Sequence, residues 1–343
     1  MSAIECSKWR ETLVEFGELD GTFLPEYHLA YAGRTGLSEA FIWHFSQNGM
    51  HFAYPFIKTP VVIGDLELPY SDISSVYGYT GPIATTPDTT FLKEAWQAFD
   101  EEAARQNIVA EFTRFSPFNK NEIFAHPQMS VIANRTLAAS YLPESRELLI
   151  ASLGSKTRNM LRKAEREGLT ARQLDLPENL PAFRLLYDET MLRNNAPEFF
   201  LYDDTYWHHM LSLGKNGLKL FGAFAGEKMV AASMAISNGK SGLYHLGASL
   251  TEFAKLGAGN LSIFAMSQGL MDCGVTFINM TGGRTDHAED PLLLFKRSNA
   301  NATVTFHIGK RILNPDAYNY IATKWQQLNG VSPDSGKLVF WRH

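Results

Sequence analysis

The chain has 343 residues, enough for two cores of ordinary size, and its 45% hydrophobic and 20% charged residues exclude long disorder. A formal net charge of -5 excludes a global positive field, so DNA and other polyanions gripped over a large area are not expected. Two cysteines, Cys6 and Cys273, cannot form a disulfide framework or a Cys-rich zinc cluster, and read as thiols in a reducing, cytoplasmic compartment.

The N-terminus, MSAIECSKWRETLVEF, is acidic where a signal peptide begins basic, and no apolar run reaches bilayer length. Residues 40–45 and 50–56 form a strand–turn–strand signal around Gln47-Asn48-Gly49. Residues 70–83, YSDISSVYGYTGPI, are poor in helix formers and read as a loop passing into a strand end. FLKEAWQAFDEEAARQ, residues 91–106, has helical amphipathic spacing, and residues 108–112 follow as a buried strand. SKTRNMLRKAEREG, residues 155–168, reads as a charged helix with Ser155 as N-cap and Gly168 as stop. A second helix is expected over 182–194.

The last third is the most legible. Residues 218–225, 228–236 and 243–247 alternate as three strands of an antiparallel meander, joined by Gly226-Glu227 and the stretch from Asn238 to Gly242. A glycine loop, Leu256-Gly257-Ala258-Gly259-Asn260, opens a helix over 261–273, and a buried strand over 275–280 ends at Gly282-Gly283. Glycines let the backbone approach a ligand closely, and free amides at a helix N-terminus bind a pyrophosphate.

This order resembles the core of the GNAT acyltransferase superfamily, whose loop reads Arg/Gln-x-x-Gly-x-Gly/Ala. Here Ala254 stands at its first position and Gly257 and Gly259 fit. Over most of its length the chain is similar to the Fem family of tandem GNAT-like enzymes, and more so to the acetyltransferase-like proteins of envelope polysaccharide synthesis. The resembling stretches are FLPEYHLAYA, YGYTGP, Arg158–Ala164, Glu189–Arg193, Tyr244–Gly247 and Phe295-Lys296, in the expected order. The resemblance implies an α/β (α+β) fold of two tandem GNAT-like domains, each a mixed, mostly antiparallel sheet flanked by helices. Their expected extents are 1–143 and 144–343. It implies acyl-CoA as donor substrate, acetyl-CoA first, bound at Gly257, Ala258, Gly259 and Asn260.

Amine acylation needs a fixed donor carbonyl, a path for the amine proton and stabilisation of the oxyanion. Lys296 matches the lysine that Fem-like enzymes place near the reacting carbonyl, while a surface lysine at a helix end is the bland alternative. His245 is a candidate general base, or else a buried structural histidine. Arg158 and Arg162 share a helix face at i, i+4 and suit a phosphate of the acceptor, or form a solvated ion-paired face with Lys156, Lys163 and Arg166. Arg193 matches a substrate-side arginine, and Tyr77 and Tyr79 are candidates to line a sugar-binding cleft, placed by the resemblance between the domains. Asp286, His287, Glu289 and Asp290 share one loop without the spacing of a metal motif, so no metal is expected.

The expected function is an N-acyltransferase acting on an amine of a cell-envelope precursor, a small-molecule amino-sugar nucleotide or a lipid-linked glycan. Peripheral membrane contact stays open. An aminoacyl-tRNA donor is a disfavoured alternative, because the acidic chain lacks the long helical arm of many peptidoglycan-modifying relatives. A degenerate GNAT pair acting as a binding protein is the alternative outside enzymology.

Overall fold

The structure, a computed structural model, describes residues 3–285, 287–334 and 336–342. Its contacts divide the chain into two compact units.

Unit 1 comprises Met1–Gly17, Thr22–Asn134 and Phe306–His343. Strands β1 (Glu39–Gln47), β2 (Met50–Ile63) and β3 (Leu66–Ser74) form an antiparallel meander, with the short β4 (Ile83–Ala84) on β2. The β1–β2 turn takes Asn48 and Gly49 at φ 51° and 75°, the positive pair a two-residue hairpin needs. The helix Thr89–Arg105 then crosses over to β5 (Ile108–Arg114), parallel to β3. Asp88 caps that helix by accepting from Phe91 N at 2.8 Å. Its Phe91, Trp96 and Phe99 pack on Phe52, Tyr54 and Phe56, alternate residues of one β2 face. The last strand, β12 (Ala302–Ile312), pairs antiparallel with β5 through Ile308–Ile312. Val61 and Ile63 pack with Ile321 of the helix Pro315–Asn329 and with Phe340 and Trp341.

Unit 2 comprises Glu18–Gly21 and Arg135–Thr305. β7 (Leu169–Leu174), β8 (Leu218–Ala225), β9 (Lys228–Asn238) and β10 (Ser241–Ser249) form an antiparallel meander. The helix Ala258–Asp272 crosses over to β11 (Phe277–Thr281), parallel to β10, and β11 pairs antiparallel with β6 (Ser130–Tyr141) through Ala138–Tyr141. Ile263, Met266 and Leu270 bury one side of that helix against Phe221, Tyr244, Ile278 and Met280. Each unit thus repeats one plan of meander, helix, parallel strand and antiparallel closing strand.

The closing strands are exchanged in sequence. β6 follows β5 but closes the sheet of unit 2, and β12 follows β11 but closes that of unit 1. This differs from a division at 143/144, because residues 306–343 pack with unit 1 and residues 135–143 with unit 2. Three local expectations also change. Tyr70–Ser74 belongs to strand β3 rather than a loop, since Ser71–Ser74 pairs with both β2 and β5. The helix Ser155–Arg166 begins with Gly154 at the cap and no side-chain cap, although Gly168 ends the segment at φ 76° as expected. The helix after the glycine loop begins at Ala258, so Ala258, Gly259 and Asn260 are its first turn.

Candidate active site

β10 and β11 pair only over Ser241–Leu243 with Phe277–Asn279, although β10 continues to Ser249 and β11 to Thr281. Each strand carries an irregularity just beyond that point, between Tyr244 and Leu246 and between Asn279 and Thr281. Such bulges turn strands apart. Among the described residues the β10 edge that faces β11 therefore has no strand partner beyond Leu243 and is closed at its end by Thr190 and Arg193 on the Ser249 backbone, while its other edge stays paired with β9.

The helix Ala258–Asp272 starts with Gly257 at φ 85° and has no side-chain cap, which leaves its N-terminal amides without a side-chain acceptor. A Cβ on Gly257 would lie 2.6 Å from the Met160 carbonyl oxygen. This glycine is required by the approach of the helix Ser155–Arg166 as well as by its own φ. Lys163 brings a cation to the loop, its Nζ donating to the Lys255 carbonyl at 2.8 Å.

Lys296 lies on the helix Pro291–Ser298 and is only 8% exposed. Its Nζ donates to Thr281 Oγ1 at 2.5 Å and to the Gly282 carbonyl at 2.9 Å, and lies 5.6 Å from the centre of the buried Tyr244 ring. Burial lowers its pKa to about 8, against the opposing attraction of Asp290. Asp290 caps the Lys296 helix through Leu293 N at 3.0 Å and accepts from Arg284 N, Thr285 N and Thr285 Oγ1. Burial opposes its ionisation, yet these bonds hold its pKa near 2. The lysine helix and the glycine loop are joined directly. Asn260 Nδ2 donates to Asn299 Oδ1 at 2.9 Å, a Cβ on Gly259 would lie 3.3 Å from the Phe295 ring, and Thr157 Oγ1 donates to the Ser298 carbonyl.

Residues 155–289, which include the glycine loop and the open strand edge, match the profile of the acetyltransferase (GNAT) domain family. Over 93% of its length the chain superposes on 99% of FemX, with a TM-score of 0.71 and 13% identity. It is similar to the C-terminal domain of a putative lysylphosphatidylglycerol synthetase from Agrobacterium fabrum, with a TM-score of 0.58, 16% identity and coverage of 95% and 98%. It is also similar to a tandem GNAT protein from the clavulanic acid biosynthesis pathway, with a TM-score of 0.50, 10% identity and coverage of 89% and 96%. No curated protein matches it in sequence. The chain has a tandem-GNAT, Fem-like fold. Its class is acyltransferase.

Within this tandem-GNAT frame, other residues singled out in the sequence have different surroundings. Arg158 donates Nη1 to the Leu153 carbonyl and, at 3.3 Å, to that of Ala151, closing the end of the helix Arg146–Ser152. Arg162 is exposed and bonded to Asn159 Oδ1 at 3.1 Å. Arg193 ties its helix to the end of β10 through the Ser249 carbonyl at 2.6 Å. His245 Nε2 lies 2.5 Å from Tyr206 Oη, and burial lowers its pKa to about 3. Tyr77 and Tyr79 belong to unit 1. The Tyr77 carbonyl accepts from Tyr27 Oη at 2.7 Å, that of Tyr79 from Thr22 Oγ1 at 2.5 Å, and the Tyr79 ring packs on Phe306. The Tyr77 side chain is exposed. Of the acidic loop, Asp286 lies outside the described residues, and among those described no three side chains are grouped to hold a metal.

Sequence reasoning missed Thr281 and Asn299, and it named Lys163 and Asp290 without their roles at the loop and around Lys296. Asp290 alone had a signal, an N-cap residue followed by Pro291 at the first helical position.

Proposed function

We propose that this protein transfers an acyl group from acyl-CoA, acetyl-CoA first, to an amine of a cell-envelope precursor such as an amino-sugar nucleotide or a lipid-linked glycan. The observation that carries the proposal is the direct link between a buried lysine and an uncapped helix N-terminus, through Asn299 and Asn260. The helix amides and Lys163 suit the pyrophosphate of the donor. The open β10 edge suits the extended arm that carries the thioester. The neutral amine attacks the thioester carbonyl, and the Lys296 ammonium stabilises the oxyanion that forms. Collapse breaks the C–S bond, and the thiolate takes a proton. Lys296, with its pKa near 8, is matched to give that proton to a thiol of pKa about 8.5, and the neutral lysine that results takes the surplus proton of the acylated nitrogen. His245 is a poor base here, because a group of pKa about 3 has little affinity for the amine proton. The lysylphosphatidylglycerol synthetase domain among the structural neighbours supports a lipid-linked acceptor.

A second reading keeps this chemistry and replaces the donor by aminoacyl-tRNA, with a peptidoglycan peptide as acceptor. The lysyl group in that same neighbour's name favours it. A catalytically degenerate pair is the weaker alternative, since a non-functional lysine gains nothing from burial. No helix among the described residues is long and apolar enough to cross a membrane.

Thermal stability with acetyl-CoA, other acyl-CoAs and free coenzyme A tests the donor, because a ligand of the native state raises Tm by mass action without any acceptor. The control is Gly259→Asp, which adds a carboxylate beside the phosphate site. Gly257 is unsuitable, since a side chain there would meet the Met160 carbonyl. A shift in wild type that Gly259→Asp abolishes supports the acyl-CoA reading. No shift with any of these ligands overturns it and moves aminoacyl-tRNA to the front.

A further inference from the structure

We infer that Thr281 is a positioning residue for Lys296, and that the Asn279 side chain holds it in the backbone conformation this requires. The inference rests on reading Lys296 as the reacting cation. Thr281 has φ 64°, in the left-handed region, where a β-branched residue is a genuine outlier. Outliers of this kind persist only where the surroundings over-determine them. Here Asn279 Oδ1 accepts from Thr281 N at 2.8 Å, across the irregularity that ends β11. Asn279 is fully buried, and its Nδ2 has no hydrogen-bond partner. A buried amide with one half unpaired is costly, so its retention has to come from the half that is used.

The kink lets one short segment reach Lys296 twice, through Thr281 Oγ1 at 2.5 Å and the Gly282 carbonyl at 2.9 Å. Beyond it, Gly283 lets the chain close on Asp290, whose Oδ1 would be 2.3 Å from a Cβ at that position. Asp290 in turn caps the helix that carries Lys296. The charged and titratable groups that bear on the amine are Asp290 from its own helix cap and Tyr244 from β10. Glycine at position 281 would take the positive φ without strain. Glycine there would supply no acceptor to the amine, whereas the Thr281 hydroxyl does.

The test uses the full chain with carbon-13-labelled lysine, and reads the Lys296 side-chain titration by NMR, its resonance assigned by its loss in Lys296→Met. Thr281→Ser keeps the hydroxyl and is expected to titrate as wild type. Thr281→Val and Thr281→Gly remove an acceptor that favours the ammonium, so the midpoint is expected to fall by roughly half to one pH unit. Thr281→Gly is also expected to melt no lower than wild type, which separates loss of the hydroxyl from loss of the fold. A wild-type midpoint in both Thr281→Val and Thr281→Gly overturns the inference. The titration needs no turnover, so failure of the acyl-transfer reading is seen separately, as an unchanged Tm with every donor. Where turnover is measured, Thr281→Val is expected to lower kcat about tenfold with KM unchanged, and Thr281→Ser to restore it.

Discussion

Replacing Lys296 by methionine is expected to stabilise the protein at neutral pH while disabling it. Burial takes the pKa of this lysine from 10.5 down to about 8. Between pH 8 and 10.5 the unfolded chain therefore holds a proton that the folded chain has released, and stability rises with pH across that window. Below it both states are protonated and the whole penalty, roughly 3 kcal/mol, is present. Lys296→Met removes the penalty with little change in side-chain length. It also strands two acceptors, Thr281 Oγ1 and the Gly282 carbonyl, at about 1 kcal/mol each at most. The net gain at pH 7 is then about 1–2 kcal/mol, in keeping with other replacements of buried charge by apolar groups. Urea unfolding of wild type and variant at pH 7 and pH 9.5 measures it, since titrations common to both cancel in the difference. The variant's advantage should shrink by about 2 kcal/mol over that interval, because wild type gains what the variant never lost. A variant less stable than wild type at pH 7, with a gap that does not narrow at pH 9.5, would refute the reasoning.

Asp290→Ala removes a helix cap and three bonds to the 284–285 loop, and should cost about 2–3 kcal/mol and speed proteolysis of that loop. Because the folded pKa of Asp290 is depressed to about 2, wild type should also lose about 1–2 kcal/mol more than this variant as the pH falls from 4 to 2. Unchanged cleavage at the loop would count against the capping role. In unit 1, Arg311 is buried and bonds the fully buried Glu111 at 2.7 Å and Asp100 at 2.8 Å. Arg311→Met should cost about 3–5 kcal/mol in urea unfolding by leaving Glu111 uncompensated, and adding Glu111→Gln should recover most of it. Equal loss in the single and double variants would contradict this. His245→Gln, which retains a partner for Tyr206, should keep acyl transfer within about tenfold of wild type. A loss of a hundredfold or more would restore His245 as the general base.

The elements most legible in the sequence are those whose turns demand special backbone. Asn48-Gly49, Gly226 and Gly239 all take positive φ, and they join the strands that alternation and glycine placed there, although β2 runs on to Ile63 and β10 spans Ser241–Ser249. The exchange of closing strands left no such mark. The pairing of Ile308–Ile312 with Ala110–Arg114 is set by contacts almost 200 residues apart, as is the bond between Arg311 and Glu111. Ser71–Ser74 carries Ser and Asp, which weaken a strand reading, and pairing on both edges overrides that preference. At the candidate site, the glycine loop was readable from residue type, and Lys296 was singled out only by the resemblance to Fem-like enzymes. The burial of Lys296 was not readable, since LLLFKRS resembles an exposed helix end. Spacing put Arg158 and Arg162 on one face, but it could not show that Arg158 is spent on backbone carbonyls. Thr281 was invisible, because its conformation runs against its own propensity.

The central claim is that the donor binds at the first turn of the helix Ala258–Asp272, next to Lys296. Amide hydrogen exchange of the whole chain with and without saturating acetyl-CoA tests it directly. The account predicts slowed exchange at residues 257–262 and around Lys296, with little change elsewhere in the helix and none of it in Gly259→Asp. Slowed exchange confined to other segments, with residues 257–262 unchanged, would contradict it.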